Sequence, residues 1–391
     1  MNTHGAPIDP YRIFFPLGIL MGIAGVSIWP LYYWGATAGF NGRSHAFVQI
    51  ECFLYAFVVG FLWTAIPRFT GTSTPSRSAQ YFVASLLAVA AVAFEFLYFR
   101  AGQTAFVAAH ATVVVVAAKR FFSRQHPAPE TFVLVGVGML AGMAGAIVNA
   151  GVAWEMLSPS LDLMARRLLT EGMILLLMLG VGGFLGPRLL GFAQLPNFQN
   201  LEKLSATTKP SVVMQYRQSL YALAGLAILM SVIVEYGWKA PVWGWLRASI
   251  GTALILVNIR PWQRPAMRTT LAWCVWTAHW LLIAALWLAV IVPKYRIDFL
   301  HVMFIGGFTL MILAVGTRVV LSHGGHALVE EKRSWPLRIG LTTGIIAMFA
   351  RLGAPFVPAS YFSHLAWAAV LWIGGIMIWG TYLLRRIRSR G

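Results

Sequence analysis

Twelve apolar runs separated by short polar loops decide what this chain can fold into. They lie at about 14–34, 46–66, 80–99, 103–119, 131–154, 168–190, 218–236, 241–258, 268–293, 299–321, 336–352 and 361–384. Hydrocarbon offers the backbone no water, so every N–H and C=O in such a run needs a partner within the run, and the runs are helices. The expected fold class is therefore all-α, a polytopic membrane protein with about twelve transmembrane helices in one bundle. Composition agrees: 59% of residues are hydrophobic and 11% charged, where a soluble domain carries about 25% charged residues. The lipid bilayer is thus the first partner.

An even number of spans puts both termini on one side. That side holds 21 of the 30 Lys and Arg residues, against 9 on the other, which predicts cytoplasmic termini. The net charge of +18 follows from this loop distribution and does not mark a nucleic-acid binder. The start MNTHGAPIDPYRIFF has neither a basic n-region nor a small-residue cleavage site, so the first run reads as a retained helix. The whole chain, 1–391, is expected to form a single transmembrane domain. Its longest polar segment, 191–217, is expected to be a cytoplasmic loop that divides the helices into six plus six. Cys52 and Cys274 fall inside different spans and form no CxxC motif.

Seven of the nine histidines fall in or at the ends of apolar runs. Neutral imidazole is the commonest nitrogen ligand for metals, although a histidine at a helix end also reads as one that meets water and headgroups. Topology sorts them. His45 and His301 begin the second and tenth spans and share one depth near the non-cytoplasmic surface. His364 lies at that depth too, His110 somewhat deeper, and His279 near the middle of the ninth span. His301 and His323 bound one helix and stand roughly 33 Å apart at 1.5 Å per residue, so no single metal takes both. His323 and His326, in SHGGH, form a separate inner pair that reads equally as a weak metal site or a polar turn. Of the intramembrane acids, Glu51 and Glu95 fall in the outer half and Glu171 is a third. Glu51 and Glu95 read as counter-charges, as proton carriers or as interhelical hydrogen-bonding groups. Arg68 and Arg318 close the second and tenth spans on the inner side, as charge anchors or as anion ligands.

The segment HVMFIGGFTLMILAVGTRVVLSHGGHAL resembles the late signature of the NnrS family: a His-led helix, a Thr-Arg pair and a Leu-x-His-x-Gly turn, here His301, Thr317, Arg318, Leu321, His323 and Gly325. HAFVQIECFLYAFVVGFLWTAIPRFTG resembles the early signature through His45, Gly60, Phe61, Leu62, Thr64, Ala65, Pro67, Thr70 and Gly71. DPYRIFFPLG resembles the family's start, and His279 matches a histidine of the helix before the late motif. Three positions depart: Phe47 and Val48 replace a second His followed by Glu, and Phe184 replaces the arginine of a Gly-Gly-Arg stretch. The resemblance implies haem b and copper as cofactors, and nitric oxide or a related small molecule as partner, in the inner membrane of denitrifying bacteria. Histidines on helices 2 and 10 of a twelve-helix chain are also similar to the low-spin haem ligands of haem–copper oxidases. With no His-His pair in helix 7 and no His in helix 6, oxygen reduction is not expected.

The expectation is a haem-binding membrane protein of nitric oxide or nitrosative-stress metabolism, with His45 and His301 as ligands and His279 as the alternative ligand. Two other readings stay open. One is a cofactor-free transporter. The other is a non-catalytic subunit that hosts haem or quinol for a redox partner.

Overall fold

The computed structural model describes residues 8–193 and 211–388. Its twelve apolar helices are α1 (Tyr11–Tyr33), α2 (Gly42–Thr70), α3 (Arg77–Glu95), α4 (Phe99–Phe122), α5 (Phe132–Ala153), α6 (Pro159–Leu189), α7 (Val212–Trp238), α8 (Val242–Ile259), α9 (Thr270–Ile291), α10 (Pro293–His323), α11 (Trp335–Phe356) and α12 (Pro358–Arg388). No strand occurs among the described residues. The chain is an all-α, multi-pass membrane protein.

Local chemistry sets the helix ends. The Asn41 side chain accepts the N–H groups of Arg43 and Ser44 at 3.0 and 3.1 Å, capping α2 by satisfying donors that have no partner within the helix. Ser76, Ser211 and Thr269 cap α3, α7 and α9 in the same way. Because Ser211 starts α7 at Val212, the end of the 191–217 segment is helical; residues 194–210 lie outside the described ones. α2, α6 and α10 begin well before their apolar runs. Their first turns carry charges that find partners, Arg43 with Asp162 at 2.8 Å and Arg296 with Glu171 at 2.6 Å. An apolar run stops at the first charge; the helix does not.

Among the described residues, nine helices form a closed ring in the order α1, α3, α4, α5, α7, α8, α9, α11, α12, with α12 returning to α1. The remaining three fill it. α2 lies against α1, α3 and α4; α6 against α5, α7 and α8; α10 against α9, α11 and α12. Burial agrees with this division. The most apolar windows of α2, α6 and α10 are 83%, 72% and 67% buried, and no other helix exceeds 61%. By their contacts the described helices group as three sets of four. A long polar loop reports where the chain leaves the bilayer, not which helices pack together.

The three inner helices share a local irregularity. After six α-helical residues, each passes through π turns, at Val48–Leu54, Leu168–Ile174 and Val302–Thr309. A π turn inserts a residue and rotates the side chains beyond it, and such turns concentrate at functional sites. α2 and α6 also share a residue pattern. Glu51, Gly60, Pro67, Arg68 and Gly71 recur at identical spacing as Glu171, Gly180, Pro187, Arg188 and Gly191. The two terminal glycines adopt the same left-handed conformation, φ +68° and +85°, which a Cβ would strain. At Gly60, an added Cβ would lie 2.8 Å from the Phe15 ring and 3.0 Å from Phe14 Cβ, and both phenylalanines are buried. Gly60→Ala is therefore expected to lower stability by about 1–3 kcal/mol, seen as a lower unfolding midpoint in detergent. An unchanged midpoint would mean that α1 and α2 are not in close contact there.

Candidate functional site

The face opposite the termini gathers imidazoles from the inner helices. His45 sits one turn before the π segment of α2, and its Nδ1 lies 2.6 Å from the Gly25 carbonyl of α1. His301 directly precedes the π segment of α10, with Nδ1 2.7 Å from the Ile297 carbonyl. A carbonyl only accepts, so both Nδ1 atoms donate and both Nε2 atoms carry the lone pair. This tautomer is the one a metal-ligating histidine holds, its second nitrogen fixed by a backbone oxygen. Both residues are half-buried. His301 lies in the electrostatic field of His45 and of Arg351 on α11, and Arg351 acts on His45 as well. The Arg351 guanidinium is held by Asp298 at 2.7 Å.

His364 on α12 repeats the arrangement, with Nδ1 2.9 Å from the Ser360 carbonyl and its ring beside Gly353 of α11. Aromatic rings pack round this end of the bundle. Trp29 meets His45 edge-on at 5.4 Å and stacks obliquely on Phe40, which reaches Tyr32 and Phe362.

His279 belongs to a different neighbourhood. Its Nδ1 donates to the Val275 carbonyl at 2.7 Å, and its Nε2 would be 3.1 Å from a Cβ built on Gly182 of α6. Gly182 lines a cavity of about 80 Å³ between α2, α6 and α10, whose walls include Phe57, Phe61, Leu177, Phe308 and Met311. The neighbours of His279 are thus those of the apolar centre, while those of His45 and His301 belong to the end of the bundle.

At the termini face, His323 and His326 engage different elements. His323 Nδ1 lies 2.9 Å from the Ser322 hydroxyl, its ring meets Tyr11 edge-on at 6.0 Å, and its buried Nε2 has no hydrogen-bond partner. His326 Nε2 lies 3.1 Å from the Arg386 carbonyl on α12. Among the described residues, no group of three or more His, Cys, Asp or Glu gathers as a metal cage. Cys52 and Cys274 are free and buried. Arg318 pairs with Glu331 at 2.6 Å, and Arg68 stands exposed near the end of α2.

The acids divide sharply. Glu171 of α6 is bound by Arg247 of α8 at 2.7 Å and by Arg296 of α10 at 2.6 and 2.9 Å. Arg247 also holds Glu235, which takes Arg167 as well. Glu51 of α2, at the matching position, meets amides instead: Gln103 Nε2 at 3.2 Å and Asn149 Nδ2 at 3.1 Å. Glu95 ends α3 half-buried, with one carboxyl oxygen unpartnered. The sequence reading missed Gln103, Asn149 and Arg351 as site residues. The signal for the first two was present as polar side chains in the middle of apolar runs.

Fold and site together define a polytopic helical membrane protein whose inner helices present imidazoles at one face. The family profile described as NnrS protein matches residues 9–389. The chain belongs to the NnrS family, membrane proteins linked to the nitric oxide response and associated with haem and copper. No curated protein matches the chain.

Proposed function

We propose that this is a haem-binding inner-membrane protein of nitric oxide and nitrosative-stress metabolism. Its termini are cytoplasmic, and residues 1–391 act as one transmembrane domain. His45 and His301 are the residues that hold haem b, near the non-cytoplasmic face. The supporting observation is the tautomer shared by these two imidazoles on two inner helices, each with Nδ1 tied to a carbonyl at 2.6 or 2.7 Å. A fixed Nδ1–H orients the ring and raises the basicity of Nε2. Arg351 places a cation beside the pair, complementary to the carboxylates that a haem carries. A haem held there by His45 and His301 would supply one-electron redox chemistry and reactivity toward nitric oxide.

The apolar cavity between α2, α6 and α10 suits a small uncharged molecule such as nitric oxide and gives a polar solute nothing to bind. That supports the haem reading over a transporter. Copper fits less well, since no three candidate ligands meet among the described residues. His279, at the cavity edge, remains the alternative haem ligand.

The test is the absorption spectrum of protein purified from haem-replete cells, with iron and copper measured on the same sample. A Soret band and stoichiometric iron are expected. A colourless, iron-free protein would overturn the proposal, and stable co-purification with a redox complex would recast the chain as a haem- or quinol-hosting subunit.

A further inference from the structure

Glu51 is 0% exposed, as are its partners Gln103 and Asn149. Both amide N–H donors fall on one oxygen, Oε1, and the other, Oε2, has no partner. An ionised carboxylate spreads its charge over both oxygens and needs donors on each. A neutral acid shows the present pattern: a carbonyl oxygen accepting twice and a hydroxyl oxygen bearing its own hydrogen.

Among the described residues, no cation touches the Glu51 carboxyl, whose partners are the amides of Gln103 and Asn149. α3 contributes Glu95, α4 contributes Gln103 and His110, and α5 contributes Asn149. Arg43 is within electrostatic reach, but its ion pair is with Asp162, which it shares with Arg166, and it makes no contact with Glu51. At the matching position of α6, the chain places two guanidiniums on Glu171. A buried, uncompensated carboxylate is strongly unfavourable, and the Glu51 site lacks what the Glu171 site has.

Two more unpartnered protic groups continue from Glu51. Tyr55 lies one turn further along α2, and its hydroxyl is buried without a partner. Its ring centroid is 5.1 Å from that of His110 on α4. His110 Nε2 donates to the Met139 carbonyl at 2.9 Å, so its Nδ1, also buried and unpartnered, is the basic nitrogen. Buried polar atoms left without partners are where structural waters bind.

We propose that Glu51 is a proton-binding site within the membrane, and that Tyr55 and His110 relay its proton between α2 and α4. None of these three atoms touches the next directly, so each step passes through a bridging water: the proton leaves Glu51 Oε2 by way of one water for the Tyr55 hydroxyl, which gives its own proton by way of another to His110 Nδ1. A carboxylate and an imidazolium remain until each exchanges with water. This inference does not depend on the haem reading.

Infrared difference spectroscopy of the full-length protein in lipid nanodiscs tests it, with the Soret band recorded separately. At neutral pH the wild type is expected to show a protonated-carboxyl C=O band that shifts in D2O and is missing from Glu51→Gln. Should Glu51→Gln fail to fold, Gln103→Met identifies the band by raising its frequency, since one N–H donor to the carbonyl is lost. Tyr55→Phe is expected to keep the band and slow its exchange into D2O about tenfold, roughly 1.4 kcal/mol in barrier. Absence of the band, or a sodium-dependent rise in thermal stability that Glu51→Gln abolishes, would overturn the proton site. Wild-type exchange in Tyr55→Phe would overturn the relay.

Discussion

Alanine at position 301 is expected to remove or reshape the Soret band of the purified protein, while His323→Ala leaves it as in the wild type. The contrast rests on where each lone pair points. His301 has Nδ1 committed to the Ile297 carbonyl and shares its surroundings with His45 and Arg351. His323 closes the same helix at the other face, its ring against Tyr11. The helix between them keeps them roughly 33 Å apart, so one iron cannot involve both. His45→Ala is expected to behave like His301→Ala, because the proposed site draws on both imidazoles. His279→Ala is the deciding control. If it alone abolishes the band, the haem ligand lies at the central cavity beside Gly182 and Met311, and the assignment to His45 and His301 fails.

The sequence carried the twelve spans, because apolar length is a one-dimensional property. It did not carry the grouping of helices into three sets of four. That grouping depends on which faces meet, and the equivalence of α2 and α6 is written in a few residues: Glu51 and Glu171, Gly60 and Gly180, Pro67-Arg68 and Pro187-Arg188. The residues between them differ freely, since any apolar side chain serves a lipid-embedded core. The π turns were also hidden. Val48–Leu54 and Val302–Thr309 have ordinary helical composition, and what distinguishes them is a change of hydrogen-bond register. Arg351 carried no sequence signal of its own, and α11 places its charge in the field of the two imidazoles. Glu51 and Glu171 looked alike because a sequence does not show what faces a side chain across the bundle.

Those two glutamates supply the second large effect. Glu171→Gln is expected to destabilise the protein by about 3–5 kcal/mol, because removing one partner of a buried ion pair leaves its cations uncompensated. Arg247, Arg296 and Arg167 surround only two carboxylates, Glu171 and Glu235, so loss of Glu171 leaves three guanidiniums facing one acid. Glu51→Gln is expected to change stability by no more than about 1 kcal/mol, the scale of one neutral hydrogen bond. The amide oxygen of glutamine still accepts from Gln103 and Asn149, and no cation loses a partner. Unfolding midpoints of the two variants in the same detergent measure the difference. A loss at Glu51→Gln as large as that at Glu171→Gln would mean that position 51 normally carries a charge balanced by a bound cation, and would place both acids among the structural ion pairs. A large loss at 171 with little change at 51 would separate a carboxylate that holds α6, α8 and α10 together from an acid that is free to exchange its proton.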